Sequence, residues 1–583
     1  MTQLTHFGAA RWRCVHCGVW SVHARVRVPA FRLAAPERHE ISERRLDVLQ
    51  CGNDIGFGIP VCHSLDNMDI WSFLSSCPGQ GALLTTADPY HEQEILTAWF
   101  TFQKTVDMAS LFGLLLLLSA ALPCSFAVSQ WNEEVVNGIP YRTFYHADTN
   151  SKLSIVSNSG ICETTPNVNQ LSGYIRISED INLFFWFFES RNSPATAPLA
   201  LWLNGGPGCS SMLGLFVEHG PCRFPDGSPA GSDPVLNEES WNSYANMLYL
   251  DQPVGVGFSY GVGQVNATTQ GSIYVWTFLQ AFLAAKPELA KSQFGLFTES
   301  YGGHYGPDIV RFIQQQNKVV DQNVSNAVKI DIIALGINNG WVDPKLQFPA
   351  YLDFGLTNNY RQLVNQSQYS TGITLYQQRC VPALQNCTVT AGTAEDCNHA
   401  HNTCYDALGL FTVELQRFDL YDVRRVDTWT GIPGTDMYHE YLARSDVKDA
   451  IGAQRDYTEC SDVAWGLFDS TGDPSRSFLG ELSEVVQSGV RVLLWAGDAD
   501  YLCNWMGNLA VANAIDYSGQ LDFVKRGMSA YQVNGTSFGE FKTVENLSWL
   551  RVYSAGHLVS SDQPRAALQA FRQTMENRPL EAT

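Results

Sequence analysis

The sequence predicts an α/β fold, with a mostly parallel central sheet flanked by helices and a disulfide-stapled helical cap inserted into it. Short apolar runs typical of buried strands alternate with helix-like stretches over residues 174–341, and the alternation resumes at residue 490. Such alternation indicates a parallel sheet covered on both faces. Between these regions, over about 345–480, the chain is polar and contains four cysteines, which favours a separate helical insertion.

The elements of this fold follow one another in a regular order. Two stretches have helical character, Ser272–Ala285 and Asp308–Gln316. The hydrophobic content of 45% is enough for a large buried core. We therefore expect one large domain over residues 128–583, with the cap inside it. The runs interpreted as strands are Tyr174–Ile177, Leu183–Phe188, Pro198–Leu203, Asn246–Leu250, Phe294–Phe297, Lys329–Gly336, Val490–Trp495 and Leu547–Tyr553.

Residues 1–107 differ from the rest of the chain. They contain six of the 13 histidines and five of the 15 cysteines. Cys14 and Cys17 have the spacing of half a zinc site, but no second pair with that spacing follows. We interpret the segment as an extension without a packed fold, upstream of the mature protein, and we predict no metal.

Residues 108–127 have the pattern of a signal peptide. An apolar run, Leu114–Leu118, lies between Met108 and small residues at Ser125 and Ala127, as in a cleavage site. We expect translation to start at Met108 and cleavage to follow Ala127. If translation starts at Met1, the same run becomes a candidate membrane anchor. No later segment is apolar enough to span a membrane.

The remaining chain has the marks of a secretory product. Six N-x-S/T sequons follow the predicted signal, and nine cysteines follow it as well. The odd number of cysteines implies one free thiol in an oxidising compartment. The sequons are Asn266, Asn323, Asn365, Asn386, Asn534 and Asn546.

Charge and loop chemistry exclude two classes of function. The net charge of −21 argues against a nucleic-acid partner, because no basic surplus exists to neutralise phosphates. The Gly-rich loop Asn204–Ser211 lacks the lysine of a phosphate-binding loop. No cofactor is predicted.

The run Phe297–Tyr305 has the layout of a nucleophile elbow, in which a tight turn with a serine joins a strand to a helix. The strained turn exposes Ser300 at the end of the sheet, and the dipole of the following helix favours negative charge beside it. The usual G-x-S-x-G pattern has Thr298 at its first position here, and we expect Thr298 to tighten helix–strand packing. The elbow is typical of α/β-hydrolases.

Two further loops complete the pattern of that fold. The Gly-rich loop Asn204–Ser211 follows a strand, as does the loop that supplies an oxyanion-hole donor in α/β-hydrolases. A carboxylate at a later strand end, Asp498 or Asp500, and His557 after the last strand follow in the order Ser…Asp…His. Each of these groups follows the carboxyl end of a strand, the edge at which open α/β sheets build their sites.

Four blocks of the sequence resemble the signature blocks of the serine carboxypeptidase family, and the resemblance covers about residues 131–575. The first block is highly specific. The resemblance implies Ser300 as nucleophile, His557 as general base and acid, and Asp500 as the group that orients the imidazole. It also implies Gly206 and Tyr301 as the oxyanion N–H donors. The blocks are Trp202–Ser211, Glu299–Tyr305, Ala496–Asp500 and Ala555–His557.

The resemblance implies an exopeptidase that binds the C-terminus of a peptide or protein. Side-chain carboxyls beside a substrate carboxylate repel it unless a proton is shared, which suggests that peptidase activity is best in acid. Relatives of this fold that act on small molecules, as acyltransferases or esterases, are the alternative. The implied carboxylate-binding residues are Asn204, Gly205, Glu218 and Glu299.

The resemblance also implies disulfides and a localisation. Cys503 matches an unpaired thiol near the site. Leu558–Ser560 departs from the family after the histidine, where the resemblance implies the border of the pocket for the leaving residue. The short distance from Ala127 to the family-like region favours secretion, with vacuolar delivery as the alternative, and the family includes monomers and homodimers. The implied pairs are Cys209–Cys460, Cys380–Cys404 and Cys387–Cys397, with Cys162–Cys222 left by elimination.

Overall fold

The computed structural model describes residues 131–583 except 226, 386, 413–417 and 427–434. The extension 1–107 with Cys14 and Cys17, the predicted signal peptide 108–127 and the sequon at Asn386 lie outside the described residues. Within the described ranges, thirteen strands form one sheet and four more form two ribbons. None of the helices in these ranges combines the length and hydropathy that a membrane crossing needs.

The elements are numbered in chain order. The strands are β1 (Asn132–Val136), β2 (Ile139–His146), β3 (Ser151–Ser157), β4 (Gln170–Ser178), β5 (Ile181–Phe188), β6 (Leu199–Leu203), β7 (Cys222–Arg223), β8 (Val235–Leu236), β9 (Asn246–Leu250), β10 (Gln293–Glu299), β11 (Asp331–Asn338), β12 (Phe418–Asp419), β13 (Asp422–Val426), β14 (Arg491–Gly497), β15 (Ser529–Val533), β16 (Thr536–Val544) and β17 (Leu547–Val552). The α-helices are α1 (Thr268–Ala285), α2 (Gly302–Asp321), α3 (Pro344–Thr357), α4 (Gln366–Leu375), α5 (Val381–Leu384), α6 (Ala394–Thr412), α7 (Thr435–Ala443), α8 (Ser445–Ile451), α9 (Asp462–Ser470), α10 (Leu479–Gln487), α11 (Trp505–Ala514), α12 (Gln520–Lys525), α13 (Val559–Asp562) and α14 (Pro564–Met575).

The centre of the large sheet is parallel and both of its flanks are antiparallel. Six parallel neighbours, in the order β9-β6-β10-β11-β14-β17, lie between the meander β1–β5 and the pair β16-β15. These six are the strands that the sequence predicts from Pro198 onward. The carboxyl ends of β10, β14 and β17 therefore lie at one edge of the sheet, where the predicted nucleophile, aspartate and histidine follow.

Both faces of the sheet are covered, as the long apolar strands require. Along β5 every residue is buried, and successive side chains enter opposite core clusters. Leu183 and Phe185 belong to one cluster, whereas Phe184 and Trp186 belong to the other. This alternation is the two-residue period of a strand that has a core on each side.

The segment between β11 and β14 is the predicted cap, and it is mostly helical. It contains helices α3–α10 and one ribbon, β12–β13. A third buried cluster holds it together around Cys380, Cys387, Cys397 and Cys404. In the structure the disulfides are Cys162–Cys222, Cys209–Cys460, Cys380–Cys404 and Cys387–Cys397.

Candidate active site

The elbow places Ser300 between β10 and α2 in a left-handed backbone conformation, with φ of 59°. That conformation is unfavourable for a residue with a Cβ by about 1–2 kcal/mol. Three backbone hydrogen bonds hold it: Ser300 N–H donates to Asn338 O at 3.0 Å, and Ser300 O accepts from Gly303 N at 2.9 Å and from Trp341 N at 2.8 Å. The end of β11 and the loop after it therefore help to fix the serine in its strained position.

Thr298 packs as the sequence predicts, against the start of the helix. Its Oγ1 donates to Gly302 O at 2.9 Å. A Cβ on Gly302 would lie 2.4 Å from Thr298 Cβ, so the threonine fits because residue 302 has no side chain. The helix α2 begins at Gly302, six residues before the predicted start at Asp308, because Gly302 and Gly303 pack closely against Thr298 and Trp341.

The Gly-rich loop lies against the elbow backbone. A Cβ on Gly205 would be 2.4 Å from Tyr301 N and 2.6 Å from Glu299 O, so only glycine fits there. Gly206 follows with φ of 110°. The N–H groups of Gly206 and Tyr301 donate to no group within the described part of the chain, which leaves both able to bind a ligand oxygen.

Asp251, after β9, fixes the far end of this loop, and the sequence assigned it no role. Its carboxylate accepts from Ser210 Oγ at 2.5 Å, from Ser211 N at 3.1 Å and from Phe258 N at 3.0 Å. Burial raises the pKa of Asp251 to about 7, against these hydrogen bonds. Cys209, bonded to Cys460, ties the same loop to the cap.

Asp500 and His557 are in direct contact. Their Oδ2 and Nδ1 atoms are 2.7 Å apart, and both side chains are buried. The Asp500 carboxylate also accepts from Leu502 N at 2.9 Å, from Cys503 N at 3.1 Å and from Asn339 Nδ2 at 2.7 Å. Burial lowers the pKa of His557, but the charge and hydrogen bond of Asp500 raise it above its usual value overall.

The other predicted aspartate, Asp498, has different partners. It accepts from Tyr360 Oη at 2.5 Å and from Ser554 N at 2.9 Å, and it lies 3.6 Å from Arg551. Asp498 therefore joins the cap to the sheet edge, and Asp500 is the aspartate that contacts the histidine.

The two predicted glutamates form a buried pair beside the serine. Glu299 Oε1 accepts from Asn204 Nδ2 at 3.0 Å and Oε2 accepts from Asn338 Nδ2 at 2.8 Å. The oxygens of Glu218, in the π-helical turn Gly214–His219, accept from no donor among the described residues. Burial and then the charge of Glu299 raise the pKa of Glu218 well above its usual value. Burial also raises the pKa of Glu299.

Cys503 is the unpaired cysteine of the described chain, and it is buried. Burial and then the charge of Asp500 raise the pKa of its thiol well above the usual value, while the nearby Ser300 hydroxyl opposes this shift. The thiol is therefore protonated, which makes it a poor nucleophile.

A cap residue also reaches the histidine. The backbone N–H of His557 donates to the backbone oxygen of Tyr421 at 2.8 Å, and the centroids of the two side-chain rings are 5.0 Å apart. Tyr421 lies in the turn of the β12–β13 ribbon, for which the sequence has no clear signal. Asn338 is the last residue of β11 and Asn339 follows it, and the sequence shows this strand-end position without indicating these contacts.

Five of the six sequons lie in the described chain, and they differ in exposure. The side chains of Asn266, Asn323, Asn365 and Asn534 are exposed. Asn546 is half-buried, and its amide donates to Val486 O at 2.8 Å and to Val490 O at 2.6 Å. Because a glycan would replace one of these hydrogens, the exposed sequons are the better acceptors.

Comparisons with known proteins agree with the resemblance. The profile of the serine carboxypeptidase family matches residues 160–577. "Carboxypeptidase S1" of Penicillium janthinellum is 50% identical over 428 residues, which are 73% of this chain and 100% of the relative. "Carboxypeptidase Y" of Schizosaccharomyces pombe is 35% identical over 410 residues, 69% of this chain and 40% of that protein.

A solved structure confirms the α/β-hydrolase fold. Kex1Δp, a prohormone-processing carboxypeptidase from Saccharomyces cerevisiae, superposes with a TM-score of 0.61 at 24% identity, covering 72% of this chain and 93% of its own. With the family profile spanning the sheet from β4 onward, the cap and all the predicted site residues, the chain belongs to the serine carboxypeptidase family.

Proposed function

We propose that this protein is a serine carboxypeptidase that releases C-terminal amino acids from peptides and proteins, with its best activity on them in acid. The buried Glu218–Glu299 pair beside Ser300 carries this proposal. A hydrolase that cleaves esters or internal peptide bonds has no need for two carboxyls at its nucleophile, whereas an exopeptidase must recognise a free carboxylate.

The reaction is an acyl transfer. Ser300 Oγ attacks the carbonyl carbon of the last peptide bond while His557 Nε2 takes its proton, and Asp500 holds the imidazole through Nδ1. The N–H groups of Gly206 and Tyr301 stabilise the oxyanion, each by about 3 kcal/mol. His557 then protonates the leaving nitrogen, the C-terminal amino acid departs, and water hydrolyses the acyl-enzyme by the same steps.

Asn204, Gly205 and the two glutamates bind the substrate carboxylate. A pair that holds one proton carries a single charge and offers an O–H donor to that carboxylate. Because the pKa of Glu218 is raised well above its usual value, this proton is kept in acid and lost as the pH rises. Three negative charges then meet at the site, so the KM for peptides increases with pH.

His557 limits the reaction from the other side. It must be neutral to accept the serine proton, and its raised pKa moves the acid limb of the pH profile above that of an unperturbed histidine. Substrates without a free carboxylate experience only this acid limb. We therefore expect the peptide optimum to lie at lower pH than the optimum for such substrates.

Glu218→Gln tests this recognition. Glutamine keeps an N–H donor at every pH but has no titrating proton, so we expect the KM for a blocked dipeptide to stay near its acid value instead of rising with pH. Hydrolysis of a blocked amino-acid methyl ester, which has no free carboxylate, changes little. Steady-state kinetics on both substrates across pH 4–8 measures the split.

Glu163→Gln is the matched control, because Glu163 is also buried but forms an ion pair with Arg191 instead of facing another carboxyl. It should lower stability and leave the ratio between the two substrates unchanged. If Glu218→Gln has no effect on the dipeptide, the alternative of an esterase or acyltransferase acting on small molecules is favoured.

We further propose that the mature protein is secreted and glycosylated. The support is the signal-like pattern before Ala127, the four disulfides and the exposed sequons. N-terminal sequencing of the protein from the culture medium should read Val128 first. A sequence beginning within 1–107 contradicts this processing.

A further inference from the structure

Asn338, the last residue of β11, links the glutamate pair to the histidine loop. Its Nδ2 donates to Glu299 Oε2 at 2.8 Å and to His557 O at 2.8 Å, and its side chain is fully buried. Its backbone oxygen accepts from Ser300 N. A single residue thus contacts the carboxylate site, the nucleophile and the loop of the general base.

The orientation of the Asn338 amide follows from its neighbours. Both atoms in contact with Nδ2 are acceptors, a carboxylate and a carbonyl oxygen, so an amide oxygen in that place would face two acceptors. The actual oxygen, Oδ1, has no hydrogen-bond partner among the described residues. Buried polar atoms are normally paired, so this side chain is held in place by what it donates.

The donors are distributed unequally over the two glutamates. Glu299 accepts from two amides, those of Asn204 and Asn338, whereas Glu218 accepts no hydrogen bond in the described chain and has only the Asn204 amide close enough to favour its ionised form. Hydrogen bonds to an ionised carboxylate favour the ionised form, and two adjacent buried carboxyls do not both ionise readily. The negative charge therefore belongs on Glu299 and the proton on Glu218.

The other titratable groups around the pair do not reverse this assignment. His557 faces Glu299, and its positive form favours the ionised carboxylate there. The groups that would be negative if ionised are Asp562 and Tyr249 near Glu218, and Cys503 and Tyr421 near Glu299. The thiol and both phenols have raised pKa values and stay neutral.

We propose that Asn338 is a positioning residue that keeps Glu299 ionised, leaves the shared proton on Glu218 and thereby makes Glu218 the donor to the substrate carboxylate. The same amide fixes the His557 loop relative to that pair. This inference rests on the proposed function, because it specifies how the carboxylate site of a carboxypeptidase is set.

Two substitutions shift the alkaline limb of peptide hydrolysis in opposite directions. Asn338→Ala removes one donor to Glu299, so the pair holds its proton to higher pH, and the limb moves up by about one pH unit. Asn338→Asp, which is isosteric, adds a third carboxyl. Its ionisation brings the site to two negative charges before the glutamate pair loses its proton, so binding of the substrate carboxylate weakens at lower pH and the limb moves down. The measurement is kcat/KM for a blocked dipeptide from pH 4 to 9.

The blocked methyl ester separates this effect from the contact with the histidine loop. Loss of the bond to His557 O lowers kcat on both substrates by the same factor, whereas the shifted limb affects the dipeptide alone. Asn246→Ala is the matched control, because Asn246 is also buried and its amide donates to Pro194 O at 2.9 Å and to Ala197 O at 3.2 Å. It should lower the melting temperature without moving either limb.

The outcomes are distinguishable. If both Asn338 variants leave the dipeptide limb where it is, or shift the dipeptide and ester profiles together, Asn338 is only structural and the inference is wrong. If the unmodified enzyme releases no C-terminal amino acid, the proposed function fails instead. Should Asn338→Ala not fold, Asn338→Asp keeps the shape of the side chain and still tests the downward shift.

Discussion

Replacing Ser300 by alanine lowers kcat on a blocked dipeptide by about 10⁵–10⁶-fold, the effect expected when a catalytic nucleophile is removed. The elbow and its hydrogen bonds through Asn338 and Trp341 are backbone contacts, so the variant keeps its fold. Release of the C-terminal amino acid and labelling by a fluorophosphonate should both disappear. Substantial residual labelling means that another residue is the nucleophile.

The strain at Ser300 adds a second result to this prediction. Glycine adopts positive φ without a steric penalty, so Ser300→Gly should be inactive and yet about 1 kcal/mol more stable than the unmodified protein. Ser193 is a matched control, because it has φ of 51° in an exposed turn. Ser193→Gly should give a similar gain in denaturant unfolding with full activity, and a Ser300→Gly variant that is less stable contradicts the strain.

Replacing Asp500 by asparagine lowers kcat by about 10⁴-fold, since the amide no longer holds the correct imidazole tautomer. The charge of Asp500 also raises the pKa of His557. Without it that pKa falls, so the acid limb of the residual activity moves to lower pH. The pH profile of kcat/KM on the methyl ester measures this shift without interference from the glutamates.

Asp498→Asn is the control for this variant. Asp498 is two residues away and pairs with Tyr360 and Arg551, so its replacement should weaken attachment of the cap and lower stability, while kcat changes by less than about tenfold. Equal losses of kcat in the two variants contradict the role of Asp500.

The parallel centre of the sheet was predictable because its strands are buried on both faces and have continuous apolar runs. In the antiparallel flanks, β4 and β5 were predicted from their apolar runs, but the outer strands β1–β3, β15 and β16 were not. Four of the five residues of β1 are exposed, and β15 has a single buried residue, Tyr531, so neither has the pattern of a core strand. The early start of α2 was missed because Gly302 and Gly303 have low helix propensity. Close packing against Trp341 outweighs that propensity.

The candidate site was predictable where a short motif carries its chemistry, as at Ser300 and His557. The residues that position these groups have no such motif. Asn338 and His557 are 219 residues apart in the chain, and the contact exists only because β11 and β17 both end at the same sheet edge. The role of Asp251 likewise depends on the path of a loop some 40 residues earlier in the chain.

The Cys209–Cys460 bond affects which polypeptides such an enzyme can hydrolyse. A covalent link between the loop beside the nucleophile and the cap keeps these two segments together at Cys209 and Cys460. We expect a protein whose C-terminal residues are folded into a helix or sheet to be a poor substrate, because those residues cannot extend into the active site. Frayed C-termini and small peptides can extend into it, so we expect the flexibility of a C-terminus to decide whether it is hydrolysed.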